Sequence, residues 1–302
     1  MSVFRNDNEI RVFGLKRGGQ HGIINWIASM YKEPVYFFNN CTFGSDPFKG
    51  STPRGTRKGT PVEDIFVKIK KMKYWSEEEI KVIRLAHKHC LMYSYENKNI
   101  SALTKSDSVP NRENMIGLSQ NEYDILILRD VFNWAASSML YGGRRNVLSD
   151  YVSHFDPPNK DKWIEDASMI DARGYKRVVR YMKHWKIYAR EHLGLTNYLP
   201  NNSICISFNK WFLDEDYRVE IANKLGLDYS DFALNVVGAV MGGGSSFDGL
   251  NYDGRAQQMK VLDRWKVFEE NSIYNGIFEQ NEEAVRMSLE IFGDVRKEGG
   301  IL

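Results

Sequence analysis

The sequence has 302 residues, of which 42% are hydrophobic and 13% aromatic. That composition excludes a disordered chain and is sufficient to bury a sizeable core. Because 41 basic residues nearly balance 39 acidic ones, the chain lacks the overall positive charge of a nucleic-acid-binding protein, and any anion site must be local.

The cysteine count and the lengths of the apolar runs indicate where in the cell the protein is found. Cys41, Cys90 and Cys205 are an odd number without paired spacing, and we expect them to be reduced thiols. We find no apolar stretch of the roughly 18 residues that a membrane-spanning helix needs, and no apolar signal segment. These features predict a cytoplasmic protein with no membrane partner.

Short apolar runs predict five strands, at residues 10–15, 35–40, 90–95, 123–130 and 203–209. Helical patterns lie between and after them, at residues 21–32, 76–88, 131–141, 171–193, 215–225, 255–269 and 281–292. The alternation predicts an α/β fold, a parallel sheet of about five strands flanked by helices on both faces. We expect one domain over residues 1–302.

Two irregular inserts interrupt this pattern, near residues 41–75 and 142–169. The first is rich in Gly, Pro and Thr and carries several Lys and Arg side chains. Long loops in a compact domain are often lids, binding loops or solvated segments. The sequence leaves open whether either insert contacts a substrate.

The segment after the first strand has the composition of an anion site. Its residues are Lys16, Arg17, Gly18, Gly19, Gln20, His21 and Gly22. Ligands of open α/β sheets bind beyond the carboxyl ends of strands, where the next helix offers unbonded N–H groups and partial positive charge. A glycine-rich turn with solvated cations is the alternative interpretation.

A second candidate site follows the fourth strand. Arg129 ends that strand, and Ser137 lies about two helical turns later, so both side chains can reach one phosphate. The alternative is that Asp130 caps the helix and Arg129 forms a structural ion pair.

Together, L-K-R-G-G-Q-H at residues 15–21 and R-D-V-F-N-W-A-A-S at residues 129–137 resemble the sulfotransferases that use 3′-phosphoadenylyl sulfate (PAPS). Residues 204–227 and the glycine-rich residues 241–256 agree with later segments of that family. The resemblance implies a three-layer sandwich like that of the P-loop NTPases. It also implies PAPS as donor, adenosine 3′,5′-bisphosphate (PAP) as product, and no metal.

The resemblance also implies a role for each matching residue. Arg17, with Lys16 before it, would be the catalytic cation of a loop that holds the 5′-phosphosulfate, where Gln20 and His21 replace the hydroxyl pair that many members carry. Arg129 and Ser137 would bind the 3′-phosphate. The adenine slot and the closing loop would be formed by Phe208, Asn209, Ser245, Ser246 and Phe247, with Arg255 as a further ligand.

A hydroxyl acceptor makes a general base useful. Glu96 follows the third predicted strand, at the sheet edge that carries the first loop, and is the first candidate. His21 is the rival, because an imidazole titrates near neutral pH. A solvated carboxylate and a purely phosphate-binding imidazole are the respective alternatives. We expect a small-molecule or carbohydrate acceptor, and no nucleic-acid partner.

Two other functions stay open at this stage. A P-loop kinase or ATPase is disfavoured by the missing Lys-[Ser/Thr] pair, and a nucleotide-binding module without activity is the non-enzymatic possibility. His87 and His89 have a spacing seen in metal sites, but no cysteine or carboxylate set completes them, so no metal site is predicted.

Overall fold

A computed structural model describes residues 4–50, 52–53, 76–105, 112–140, 148, 159–199, 201–237, 245 and 247–297. The strands are β1 (Asn6–Gly14), β2 (Tyr36–Asn39), β3 (Thr52–Pro53), β4 (Lys88–Glu96), β5 (Ser119–Leu128) and β6 (Ile204–Ser207). The α-helices are α1 (Gln20–Ser29), α2 (Pro47–Gly50), α3 (Glu77–Leu85), α4 (Arg112–Ile116), α5 (Val131–Met139), α6 (Lys160–Ser168), α7 (Ala172–His192), α8 (Phe208–Leu213), α9 (Glu215–Lys224), α10 (Ser272–Glu279) and α11 (Glu282–Phe292). Three further segments are 3₁₀ helices, Ile100–Lys105, Ala256–Gln258 and Arg264–Phe268.

The strands form one sheet in the order β3-β2-β4-β1-β5-β6. The five longer strands pair in parallel, and the two-residue β3 pairs antiparallel to β2 at the edge. The predicted fold class is therefore confirmed. Crossover helices connect the parallel strands, as this pairing requires.

Hydrophobic residues pack on both faces of the sheet, because successive strand side chains point to opposite sides. In β5, Leu126 and Leu128 contribute to one core together with Trp134 and Trp185 of α5 and α7. Ile125 and its alternate neighbours face the other core, which includes side chains of α1, α8 and α9. Helices thus cover both faces, giving three layers.

Most predicted elements are found, with two differences near the functional region. Residues 208 and 209 were predicted as the end of a strand, but Ser207 caps the new helix α8, and β6 ends there. The predicted helix 255–269 is instead two short 3₁₀ helices. The reason is that its backbone carbonyls serve distant side chains: Val261 O accepts from Arg129, and Leu262 O accepts from Asn133.

The described parts of the two inserts contain regular structure. Residues 41–75 include α2 and β3, and residues 142–169 include α6. The remainder of both inserts lies outside the described residues. Among the described helices, none combines the length and apolar character needed to cross a membrane.

Candidate functional site

The carboxyl ends of three adjacent strands bring the predicted site residues to one edge of the sheet. Gly14, the last residue of β1, pairs with Glu96 of β4 on one side and with Ile127 of β5 on the other. The first loop therefore emerges between Glu96 and the segment that carries Arg129. This register places both predicted anion sites side by side.

Hydrogen bonds to the backbone shape the first loop. The Gly18 N–H donates to Leu15 O at 2.8 Å, closing a tight turn. The Lys16 N–H donates to Asn97 Oδ1 at 2.8 Å, and the Lys16 carbonyl accepts from Trp134 Nε1 at 3.0 Å. The backbone of the loop is thus positioned by side chains from two neighbouring segments, on either side of β1.

Two residues of this loop have left-handed backbone conformations, Arg17 at φ 69° and Gly19 at φ 87°. Only glycine fits the second position, because an added Cβ would lie 2.1 Å from the ring of Phe208. Helix α1 begins directly after Gly19, with no side-chain cap and no acidic residue in its first turn. The Gly22 N–H already donates to Gly19 O at 3.0 Å, and the N-terminus of α1 carries the partial positive charge that suits an anion.

Gln20 and His21 of the first helical turn contact neighbouring strands. Gln20, which is buried, donates through Nε2 to Glu96 Oε1 at 2.9 Å. His21 Nε2 lies 2.9 Å from Asn39 Oδ1, an atom that also accepts from Ser94. A residue of the loop itself therefore holds Glu96 beside the loop.

Arg129 and Ser137 come together as the spacing predicts. Arg129 is only 2% exposed, and its Nη1 donates to Ser137 Oγ at 2.9 Å. Its Nη2 donates to Val261 O, and the guanidinium lies 5.0 Å from the centre of the Phe208 ring. Asp130 does cap α5, accepting from the Asn133 N–H at 2.8 Å, so that part of the alternative interpretation also holds. The described hydrogen bonds of Arg129 go to hydroxyl and carbonyl oxygens. None of them goes to a carboxylate, as the structural ion pair of the alternative interpretation would require.

Arg264, which the sequence did not single out, completes this pocket. It is 7% exposed and donates through Nη1 to Ser137 Oγ at 3.1 Å, the same hydroxyl that Arg129 uses. Its other contacts are with the late glycine-rich loop: Ser245 Oγ, Asp248 Oδ2 at 3.3 Å, and the Phe247 ring, whose centre lies 4.9 Å from the guanidinium.

The arginine proposed from sequence at this loop, Arg255, lies elsewhere. It is exposed, donates to Asn251 O and stacks on Tyr252. The only sequence signal for Arg264 as a site residue is its position after the late glycine-rich loop. Its contact with Ser137 has no local signal, because the two residues are 127 positions apart.

Two buried arginines lie side by side in this pocket, and one of them, Arg264, is paired with Asp248 at 3.3 Å. Burial, and next the charge of Arg264, lower the pKa of Arg129 to about 9, although Asp130 acts in the opposite direction. Burial also lowers the pKa of Arg264, and Asp248 offsets part of that effect. The Nε atoms of both arginines are buried and have no hydrogen-bond partner among the described residues. Buried unpaired donors on cations favour the binding of an anion.

Of the remaining predicted binding residues, three lie within the described residues and one does not. Phe208 is buried between Gly19 and Arg129 and so joins the two pockets. Asn209 is buried and donates to Asp130 at 3.0 Å, where it supports the cap of α5, and Gly22 faces Trp211. Ser246 lies outside the described residues.

No protein-family model matches the chain, and no curated protein sequence is significantly similar to it.

Proposed function

We propose that the chain is a sulfotransferase that moves the sulfuryl group of PAPS to a hydroxyl or amine acceptor. One observation carries the proposal. Two buried arginines share Ser137, and one of them, Arg129, also reaches to 3.5 Å from the carbonyl oxygen of Arg17 in the first loop. The side-chain pocket and the N-terminus of α1 are therefore neighbours. This arrangement suits a nucleotide that has one phosphate group at its 3′ position and another at its 5′ position.

The proposal divides the donor between the two pockets. Arg129, Arg264 and Ser137 would bind the 3′-phosphate. The N-terminus of α1 and the cations Lys16 and Arg17 would bind the 5′-phosphosulfate. Phe208 lies between them as an apolar wall for the adenosine.

The chemistry follows the logic of phosphoryl transfer. The acceptor oxygen or nitrogen forms a bond to sulfur while the bond from sulfur to the bridging oxygen breaks, and negative charge develops on that oxygen. Arg17 and Lys16 would stabilise this charge together with the α1 N-terminus. Glu96, oriented by Gln20, would take the proton of a hydroxyl acceptor. The proposal thus assigns charge stabilisation to this chain's cations and amides.

A binding experiment tests the donor assignment. In buffer with EDTA, PAP should raise the melting temperature by about 5 °C at a roughly hundredfold excess over its Kd, since only the folded state offers both pockets. ATP with Mg²⁺, in buffer without the chelator, should give little shift. Equal shifts from the two nucleotides, or no shift with PAP, would remove the donor assignment.

A turnover experiment separates an enzyme from a binding module. Radiolabelled PAPS is incubated with the protein and cell extract, and products that gain a sulfuryl group are identified by mass spectrometry. Glu96→Gln keeps an acceptor for Gln20 but loses the base, and should lower turnover by about 10² to 10⁴ while sparing PAP affinity. Glu279→Gln, at an exposed position of α10, is the matched control. Binding of PAP without any transfer by the unmodified protein would favour the inactive module, and unchanged turnover in Glu96→Gln would move the base role to His21.

A further inference from the structure

A cluster of two histidines and one aspartate lies at the sheet edge opposite the candidate site. Asp7 belongs to the start of β1, His87 directly precedes β4, and His89 is the second residue of β4. The expectation that no carboxylate accompanies the two histidines was wrong, because Asp7 lies 80 residues before His87 in sequence and meets it only in the fold. His89 and Glu96 are seven positions apart in the extended strand β4, which amounts to about 23 Å. The cluster is therefore independent of the proposed donor site.

The strand geometry explains why these three side chains meet. His87 and His89 are two residues apart, so their imidazoles leave β4 on the same side, whereas the intervening Lys88 is buried on the other. In the parallel pairing of β1 with β4, Asn6 lies opposite Lys88 and Asn8 opposite Cys90, which brings Asp7 alongside His89.

The ligand atoms converge on one point. Asp7 Oδ1 lies 2.8 Å from His87 Nε2, and Asp7 Oδ2 lies 2.9 Å from His89 Nδ1. One ligand atom from each residue can be chosen so that all three are within 4.8 Å of one another. The side chains of His87 and His89 are 51% and 56% exposed, so an ion has access from solvent.

Neighbouring amides hold the backbone that carries these ligands. Asn121 of β5 donates to the carbonyl oxygen of Asp7 at 3.2 Å and to Asn8 Oδ1 at 3.3 Å, and Asn8 donates in turn to the carbonyl oxygen of His89 at 3.4 Å. These hydrogen bonds fix the backbone positions of Asp7 and His89 relative to each other, without contacting the ligand atoms.

We propose that Asp7, His87 and His89 form a binding site for a divalent transition-metal ion, of which Zn²⁺ is the representative. Two imidazole nitrogens and one carboxylate oxygen are ligands that Zn²⁺ binds at about 2.0–2.2 Å, and three protein ligands leave one tetrahedral position for water or for a group of another molecule. Mg²⁺ and Ca²⁺ prefer sets of oxygen ligands and should not bind. The ion would join the amino-terminal ends of β1 and β4 and stabilise the folded state by mass action.

The test uses the full chain without a polyhistidine tag, stripped of metal with a chelator. In titration calorimetry, Zn²⁺ should bind with one ion per chain and a Kd below about 10 µM, and the melting temperature should rise. Mg²⁺ at the same concentration should do neither. Because loss of an outer-shell partner alone weakens metal sites by about 10- to 100-fold, His87→Gln, His89→Gln and Asp7→Asn should each weaken Zn²⁺ binding by more than about tenfold.

The matched control is a variant of a histidine outside the cluster. His184→Gln changes a half-buried histidine of α7 and should bind Zn²⁺ as the unmodified protein does. Melting in the absence of metal shows whether each variant is folded, which we expect because the two histidines are exposed. The absorption spectrum of bound Co²⁺ should show the intense visible bands of four-coordinate geometry and lose them in Asp7→Asn. No binding tighter than about 10 µM, or equal binding by the three ligand variants and the control, would overturn the inference.

Discussion

The two strand-to-helix junctions at the carboxyl edge of the sheet present positive charge in different ways. At the β1–α1 junction, Gly19 precedes a helix without a side-chain cap, so the positive end of the α1 dipole is not neutralised by a capping side chain. At the β5–α5 junction, Asp130 already caps the helix, and the available donors are instead the guanidinium groups of Arg129 and Arg264 beside Ser137.

In the proposed function, one sheet edge would bind phosphate groups in two ways, by backbone at one junction and by side chains at the other, and the two ways have different requirements. The backbone site depends on loop shape, and therefore on glycine at a position with positive φ. The side-chain site depends on two buried arginines held side by side, and burial together with the charge of Arg264 lowers the pKa of Arg129.

The largest effect is expected from breaking the backbone site with Gly19→Ala. The new methyl group would overlap the Phe208 ring, and the left-handed conformation would be strained. We expect a loss of roughly 1–2 kcal/mol from strain and roughly 1–3 kcal/mol from overpacking, and no stabilisation by PAP. Thermal melting with and without PAP measures both.

The control for that variant is Gly276→Ala in α10, where an added Cβ meets nothing within 4 Å. It should stabilise the protein by about 0.5–1 kcal/mol through helix propensity and leave PAP binding unchanged. A Gly19→Ala protein that melts normally and still binds PAP would mean that the loop shape is not what creates the first pocket.

A smaller and more selective effect is expected at the side-chain site. Arg129→Ala should weaken PAP binding by about 10- to 100-fold, the range of a lost charged hydrogen bond, and weaken adenosine 5′-monophosphate binding far less. The ratio of the two Kd values is the measurement, because it is insensitive to a general loss of stability. Arg255→Ala, which removes an exposed arginine, should leave that ratio as it is. Equal losses for both nucleotides would reject Arg129 as a ligand of the 3′-phosphate.

The smallest effect should come from the hydroxyl between the arginines. Ser137→Ala removes an acceptor of both guanidinium groups and one donor to the phosphate, and should weaken PAP binding by a few-fold, about 1 kcal/mol. The adjacent Ser138 is equally buried, but its Oγ has no hydrogen-bond partner among the described residues. Ser138→Ala should therefore leave PAP binding nearly unchanged. Similar losses of PAP affinity in the two variants would contradict a role for Ser137 between the two arginines.

Local patterns in the sequence located the five parallel strands, because strands covered on both faces are largely apolar. Their starts were not predicted: β1 and β5 each begin four residues before the apolar run, in segments that contain polar residues such as Asn6 and Asn121. Helix α8 was missed because Phe208–Leu213 continues the apolar run of β6, and only the cap by Ser207 marks the change. The short edge strand β3 has too few residues to show a pattern.

The candidate site was predictable only where its parts are close in sequence. Arg129 and Ser137 are eight residues apart, and their meeting follows from helix geometry. Arg264 reaches Ser137 through the tertiary fold, as Asp7 reaches His87 from 80 residues away. Such contacts depend on strand order and loop paths, which residue spacing does not encode.

Direct contacts join the two junctions. Trp134 of α5 donates to the carbonyl oxygen of Lys16, and Arg129 approaches that of Arg17, so residues of one junction support the backbone of the other. Free-energy changes at residues in such contact do not add, and interaction energies of about 0.5–3 kcal/mol are usual. A substitution tolerated at one junction will consequently depend on the residues at the other, and the two segments should evolve as a unit.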